Sequence, residues 1–309
     1  MRSWPRITPR ITAAALLVIL APGFELHIVA TAAQDPASCL ELVRVAVANE
    51  VAASNSPAKH MFRDRKQTSQ GSQIRLYVET RDAMAGLTIA YNDKPLPPQD
   101  MQGEEGRLAG LAGNSEQLRR KHLQEQENAE RTMRIVKALP DAFAYQYDGE
   151  ETEEPGGSDP GRHLVRLKFK PNPGYQPPTR AEEVLLGMSG FLVIDPVDRR
   201  IARIDGTLFK EVSFGWGILG HLDKGGRFLV EQSDVGHGCW EVSRMTLNFT
   251  GKILLFKTLA IKSDEVFSDF RPVPEETTFA QGLEILKAAE MKLAQNRDAE
   301  TIKSENKAH

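Results

Sequence analysis

The chain has 309 residues, with 39 Lys plus Arg against 42 Asp plus Glu. A net charge of -3 excludes a dedicated nucleic-acid binder, which carries a large basic excess. Hydrophobic residues at 40% and charged residues at 26% exclude a disordered or fibrous chain, and a mean hydropathy of -0.38 excludes a polytopic membrane protein.

Arg2, Arg6 and Arg10 precede the apolar run Ile11 to Leu20, and the small residues Ala30-Thr31-Ala32-Ala33 follow. Basic, apolar, small is the order of a secretory signal peptide. The run of about 10 residues is half of what a bilayer-spanning helix requires. The expectation is a signal peptide over residues 1–33 and a periplasmic or secreted protein with no transmembrane span in the mature chain. Removing that segment takes out Arg2, Arg6, Arg10 and Glu25 and leaves the remainder at -5. Cys39 follows Pro36-Ala37-Ser38 and lacks the upstream aliphatic residue of a lipidated cysteine. Ser38 and Glu41 instead read as a capping box that opens a helix at Cys39. An oxidising compartment permits a Cys39–Cys239 disulfide, and the sequence leaves that pairing open.

Leu40, Val43, Val47 and Val51 recur at helical spacing up to Ser54-Asn55-Ser56-Pro57. Ile74, Leu76 and Val78 alternate with Arg75, Tyr77 and Glu79 as in a half-buried strand. Leu87, Ile89 and Tyr91 repeat that pattern, Met61 to Lys66 reads as a more polar strand before them, and Pro95, Pro97 and Pro98 close the meander. From about Gln99 to Leu139, Glu, Gln, Arg, Lys and Ala dominate, which favours helix. Gly113-Asn114-Ser115 splits this segment with Ser115 as a cap, and Leu118, Met133, Val136 and Leu139 form its apolar stripe. The balanced charges around that stripe suit a solvated helical insertion.

The second half reads as strands at Ala142 to Tyr147, Val165 to Phe169, Phe191 to Ile194 and Arg199 to Phe209. Thr179 and Glu182 make a capping box for a short helix. Further strands surround turns at Asp223-Lys224-Gly225-Gly226 and Thr250-Gly251-Lys252. The nearly continuous apolar run Ile253 to Ile261 reads as a strand covered on both faces. Thr277 or Thr278 caps a last helix with a Leu283, Leu286 and Ala289 stripe. Strands joined by short turns, without alternating helices, indicate an antiparallel sheet. The expected fold class is α+β: a single domain over 34–295 with a curved, mostly antiparallel sheet, packing helices, a charged helical insertion at 99–139 and a charged flexible tail at 296–309.

Several segments resemble chemical motifs. Gly215-Trp216-Gly217-Ile218-Leu219-Gly220 matches G-x-G-x-x-G, yet the following His221 to Gly226 cannot sustain the helix a dinucleotide site needs. Cys239 in Gly236-His237-Gly238-Cys239-Trp240 lacks the downstream histidine base of a cysteine protease, apart from His309 at the end of the chain. Asp234, His237 and Cys239 offer metal-ligand atoms, but without H-E-x-x-H or H-x-H spacing they read as a polar hairpin loop. The acidic stretch Asp148 to Asp159 lacks calcium-loop spacing, and the sequon Asn248-Phe249-Thr250 sits inside a strand pattern. No catalytic residue, metal ligand or cofactor is assigned, so the expectation is a protein that is not an enzyme. The aromatics concentrated in the second half either form a core or line an open apolar groove. Trp216, Phe228, Trp240 and Phe256 are the candidate ligand-binding residues.

Phe191-Leu192-Val193-Ile194-Asp195-Pro196, Ile201 to Leu208, and Phe267-Ser268-Asp269-Phe270-Arg271-Pro272-Val273-Pro274 resemble an uncharacterised family of secreted bacterial proteins. The order of helix, meander, strands with an Asp-Pro turn and late strands is similar to the periplasmic lipoprotein-carrier (LolA/LolB-like) superfamily. That resemblance implies an unclosed antiparallel half-barrel wrapped around helices, with an apolar cavity for acyl chains. The expected function is binding of an apolar ligand, lipid or lipidated protein by an exported, non-enzymatic chain. The alternative is an envelope protein–protein interaction or sensor module that uses the charged helical arm.

Overall fold

Apolar alternation builds a sheet here, and the helices pack on it at two separate places. The structure is a computed structural model that describes residues 35–153, 161–214, 220–236, 238–253 and 257–307. The segment 1–33, expected from sequence to be a signal peptide, lies outside the described residues. The chain opens with α1 (Pro36–Ala53), followed by the meander β1 (Lys59–Thr68), β2 (Gly71–Val78), β3 (Ala85–Tyr91) and β4 (Lys94–Pro95). Two helices, α2 (Pro98–Ala112) and α3 (Ser115–Ala142), form the insertion. The strands β5 (Phe143–Thr152), β6 (His163–Pro171), β7 (Met188–Asp195) and β8 (Arg200–Leu208) come next, with a 3-10 turn at Glu182–Gly187. The short pair β9 (Val212–Phe214) and β10 (Gly220–Leu222) leads to β11 (Arg227–Asp234), β12 (Trp240–Ile253) and β13 (Lys257–Val273), and α4 (Phe279–Lys307) follows.

The strand order is β4-β3-β2-β1-β13-β12-β11-β8-β7-β6-β5, antiparallel throughout and not closed, an α+β architecture with a curved open sheet. The return of β13 beside β1 joins the first meander to the second. Residues Gln34–His309 belong to one compact unit. No described helix is long and apolar enough to cross a membrane.

The two larger hydrophobic cores lie on opposite faces of this sheet, and a small third cluster gathers Leu164, Val193, Ala202 and Trp240. In the first, α1 and the end of α3 cover β5 to β8, burying Val43, Ala46, Leu139, Leu167, Leu192 and Ile194 among others. In the second, α2 and α4 cover β2 and β3 through Leu76, Val78, Leu87, Leu108, Phe279 and Leu286. The faces are assigned by register, since directly opposed residues point to the same side. Ile204, against the first core, opposes Val230, which opposes Met245, then Glu265, then Lys66. Ile74, in the second core, opposes Arg65, then Val266, then Arg244. These are alternate rows, pointing to alternate faces.

A charged clamp fixes α1 to the sheet. Arg200 donates from Nε and Nη2 to the two Glu50 carboxylate oxygens, each at 2.9 Å, and Ile201 N donates to Glu50 Oε1 at 3.0 Å. The preceding Asp195-Pro196-Val197-Asp198 turn is held by Asp195 Oδ1, which accepts from Val197 N and Asp198 N at 2.7 Å. Such a bidentate buried pair is geometrically specific.

Several boundaries differ from the sequence reading. Asp35, not Ser38, caps α1, because Pro36 is pre-set for the first helical position and Asp35 Oδ1 accepts from Ala37 N. Cys39 is thereby buried inside the helix, and it is not bridged to Cys239. Asn114, rather than Ser115, caps α3 by accepting from Gln117 N at 3.0 Å. Of the expected Thr179–Glu182 box only half forms: the Thr179 amide and hydroxyl donate to Glu182 Oε2 at 2.9 and 2.7 Å, while Glu182 N donates to the Thr179 carbonyl, and a 3-10 turn follows. Thr250-Gly251-Lys252 is strand rather than turn, paired with β13 through Thr258, Leu259 and Ala260. Ile261 is 38% exposed, so that stretch is not covered on both faces. The segment from residue 296, expected as a flexible tail, is helix as far as Lys307.

Candidate functional site

The two cores leave the middle of one sheet face without a principal helix contact. The main helix packing falls on β2 and β3 at one end and on β5 and β8 at the other. On β2, Ile74, Leu76 and Val78 are buried toward the second core, whereas Arg75 and Tyr77 point to the opposite side and are half-buried. Tyr77 opposes Phe62 on β1, and their rings stack at 5.3 Å. Phe62 also stacks on Phe270 at 5.4 Å and meets Phe267 edge-on at 6.1 Å. Gly86 makes room for this arrangement, because a Cβ there would lie 2.5 Å from the Tyr77 ring. Four aromatic rings thus form a strip over β2, β1 and β13, on the side away from α2 and α4.

A pair of buried acids adjoins the strip. Asp64 opposes both Arg75 and Phe267 and is 6% exposed, with Oδ1 lacking a hydrogen-bond partner. Burial, reinforced by the neighbouring Glu265 carboxylate, pushes the Asp64 carboxyl up to about 6, while Lys66 and Arg75 pull the other way. Glu265 is itself buried and pairs with Lys66 at 2.7 Å.

Below the strip the sheet splays. The β12–β13 ladder ends at Arg244–Val266, whereas β13 continues along β1 to Val273–Lys59. A pocket of about 480 Å3 opens near this splay, lined by Glu50, Lys59, Glu79, Arg200, Trp240 and Glu241 among others. Its first wall is the satisfied Glu50–Arg200 clamp. Trp240 lies beside that clamp, with its Nε1 donating to Asp198 Oδ2 at 3.3 Å and the Arg162 and Arg200 guanidiniums over its ring at 5.2 and 5.9 Å.

The second wall is formed by Glu79, Cys239 and Glu241, with the buried His60 behind it. His60 Nδ1 is 3.4 Å from Glu241 Oε1 and 3.9 Å from Glu79 Oε2. Glu79 Oε2 accepts from the His60 backbone N at 2.8 Å, and Cys239 Sγ lies 3.9 Å from Glu241 Oε1. Burial raises the Glu241 carboxyl, with Glu79 adding to the shift, and burial also pushes the Cys239 thiol up.

The candidate residues from sequence separate. Phe228 packs against the first core, its ring above Gly206 where a Cβ would lie 2.1 Å away. Trp240 lines the polar pocket. Trp216 and Phe256 lie outside the described residues, as does His237. Asp234 accepts from Gly236 N at 2.8 Å to shape the β11–β12 turn. Cys239 therefore meets His60 and Glu241, a grouping the search around Asp234 and His237 missed. Phe62, Tyr77, Phe267 and Phe270 were missed as a group because they come from three strands, and only the period-2 phase of Tyr77 signalled its face.

The geometry defines an α+β protein with an open antiparallel sheet and two partly covered faces. Comparison with family models, with curated proteins and with solved structures finds no match.

Proposed function

We propose that the chain is an exported, non-enzymatic protein that binds an apolar ligand, a lipid or the acyl chain of a lipidated protein, along the aromatic strip. The observation that carries this reading is the half-buried Phe62–Tyr77–Phe267–Phe270 cluster over β1, β2 and β13, on the part of this sheet face that α1 and α3 do not cover. Val230 and Met245 extend it toward the first core, in the same register row as Ile204. Burial of acyl surface there stabilises a complex by roughly 25 cal/mol per Å2 removed from water. The basic-apolar-small N-terminus and the carrier-like order of elements support the same reading. Relative to the sequence reading, the contact residues move from Trp216, Phe228, Trp240 and Phe256 to the strip.

Capture of an envelope partner by the charged arm has less support. Glu116 pairs with Arg119 and Arg120, and Lys121 with Glu125, so the first turns of α3 pair their charges within the helix. Native mass spectrometry of protein purified from the cell envelope tests the proposal. A retained lipid mass that is lost on delipidation is expected, and a bare protein mass from every preparation contradicts it.

A further inference from the structure

The second wall of the pocket has the composition and spacing of a cation site. The His60 side chain is 9% exposed, and its Nδ1 is buried without a hydrogen-bond partner. It is directed at the carboxylates of Glu241 and Glu79, and one ligand atom each from His60, Cys239 and Glu241 lies within 4.8 Å of the others. Ligand atoms bonded to zinc at about 2.0–2.3 Å stand about 3.3–3.8 Å apart across a tetrahedron. The observed separations of 3.4 Å for Nδ1–Oε1 and 3.9 Å for Sγ–Oε1 are close to that spacing without any movement of strands.

We propose that His60 Nδ1, Cys239 Sγ and Glu241 form a site for a zinc-type divalent cation. As the metal–sulfur bond forms, the S–H bond breaks and its proton leaves to solvent, with no change in oxidation state. Thiolate plus carboxylate balance the charge of the ion, and the nitrogen and sulfur donors select zinc over magnesium or calcium. Glu79 Oε2 already accepts the His60 amide, so it holds the His60 backbone in place. The Glu211, His221 and Asp223 cluster also brings ligand atoms together, but it contains no thiol and no buried unpartnered nitrogen. The two sites adjoin, with the His60 ring edge-on to Phe270 at 6.3 Å, but the cation site takes none of its ligands from the aromatic strip.

Reduced, metal-free full-length protein titrated with cobalt(II) tests it. A thiolate-to-cobalt charge-transfer band saturating at one equivalent and abolished by zinc is expected. Cys239→Ser should remove the band, and His60→Gln and Glu241→Gln should each weaken binding at least tenfold, with helical circular dichroism retained. Wild-type protein provides a check independent of any variant: zinc should slow alkylation of Cys239, mapped by mass spectrometry, at least tenfold. Absence of the band, a band unchanged in Cys239→Ser, or alkylation indifferent to zinc overturns the proposal.

Discussion

One continuous sheet face behaves differently at its two ends. Over β5 to β8 it lies under α1 and α3, and its residues are aliphatic and almost wholly buried, such as Leu167 and Leu192. Over β1, β2 and β13 the same face carries half-buried rings and the buried acids Asp64 and Glu265. At the first end the buried charges are paired, Glu50 with Arg200 and Asp195 with Arg162, while the Tyr175 hydroxyl is buried without a hydrogen-bond partner. The second end retains a buried carboxylate oxygen with no partner. A buried carboxylate without a full set of partners costs more than a buried hydroxyl, so Asp64 beside Glu265 weighs against stability at the second end.

Mutation should expose this contrast. Glu50→Ala leaves Arg200 buried and uncompensated, and a loss of about 3–5 kcal/mol is expected in urea denaturation. A loss below about 1 kcal/mol would show that the covered end does not depend on the clamp.

At the bare end the sign reverses. With the Asp64 carboxyl raised to about 6 from 3.8, the folded state holds a proton that the unfolded state has released between those pH values. Stability is therefore greatest at low pH with respect to this group, and it falls as pH rises through about 6. Asp64→Asn should remove that fall and stabilise the protein at pH 7 by up to about 3 kcal/mol. Urea curves at a series of pH values check this, and an Asn variant less stable than wild type at pH 7 counts against it.

Smaller effects should follow from the strip and from the opposite face. Phe62→Ala removes a half-buried ring with three aromatic neighbours, and about 1–2 kcal/mol should be lost, less than for a fully buried Phe. Arg244 pairs with Asp264 on the opposite face with both side chains over a third exposed. Arg244→Ala should cost no more than about 1 kcal/mol in thermal or urea unfolding.

Much of the fold was legible in the sequence because its signals are local. The alternation at Ile74–Val78 set both the strand and its buried face, and Thr278 with Gln281 forms the cap that opens α4 through bonds at 2.9 and 3.2 Å. The order of strands was not legible, because placing β13 beside β1 joins residues about 200 positions apart through pairing that no short window encodes. For the same reason His60 and Glu241, on strands separated in sequence, left no spacing pattern. Trp240 is an apolar candidate by type, but it is buried against Leu164, Val193 and Ala202 on one side and against Arg162, Arg200 and Asp198 on the other.

Titration of a fluorescent long-chain fatty acid against wild type, the Phe62→Ala/Phe267→Ala double variant and Arg244→Ala tests the central claim most directly. Saturable binding by wild type and Arg244→Ala, weakened at least tenfold in the folded double variant, is the predicted result. No saturable binding by wild type, or equal affinity in all three proteins, would contradict the assignment of the aromatic strip as the ligand seat.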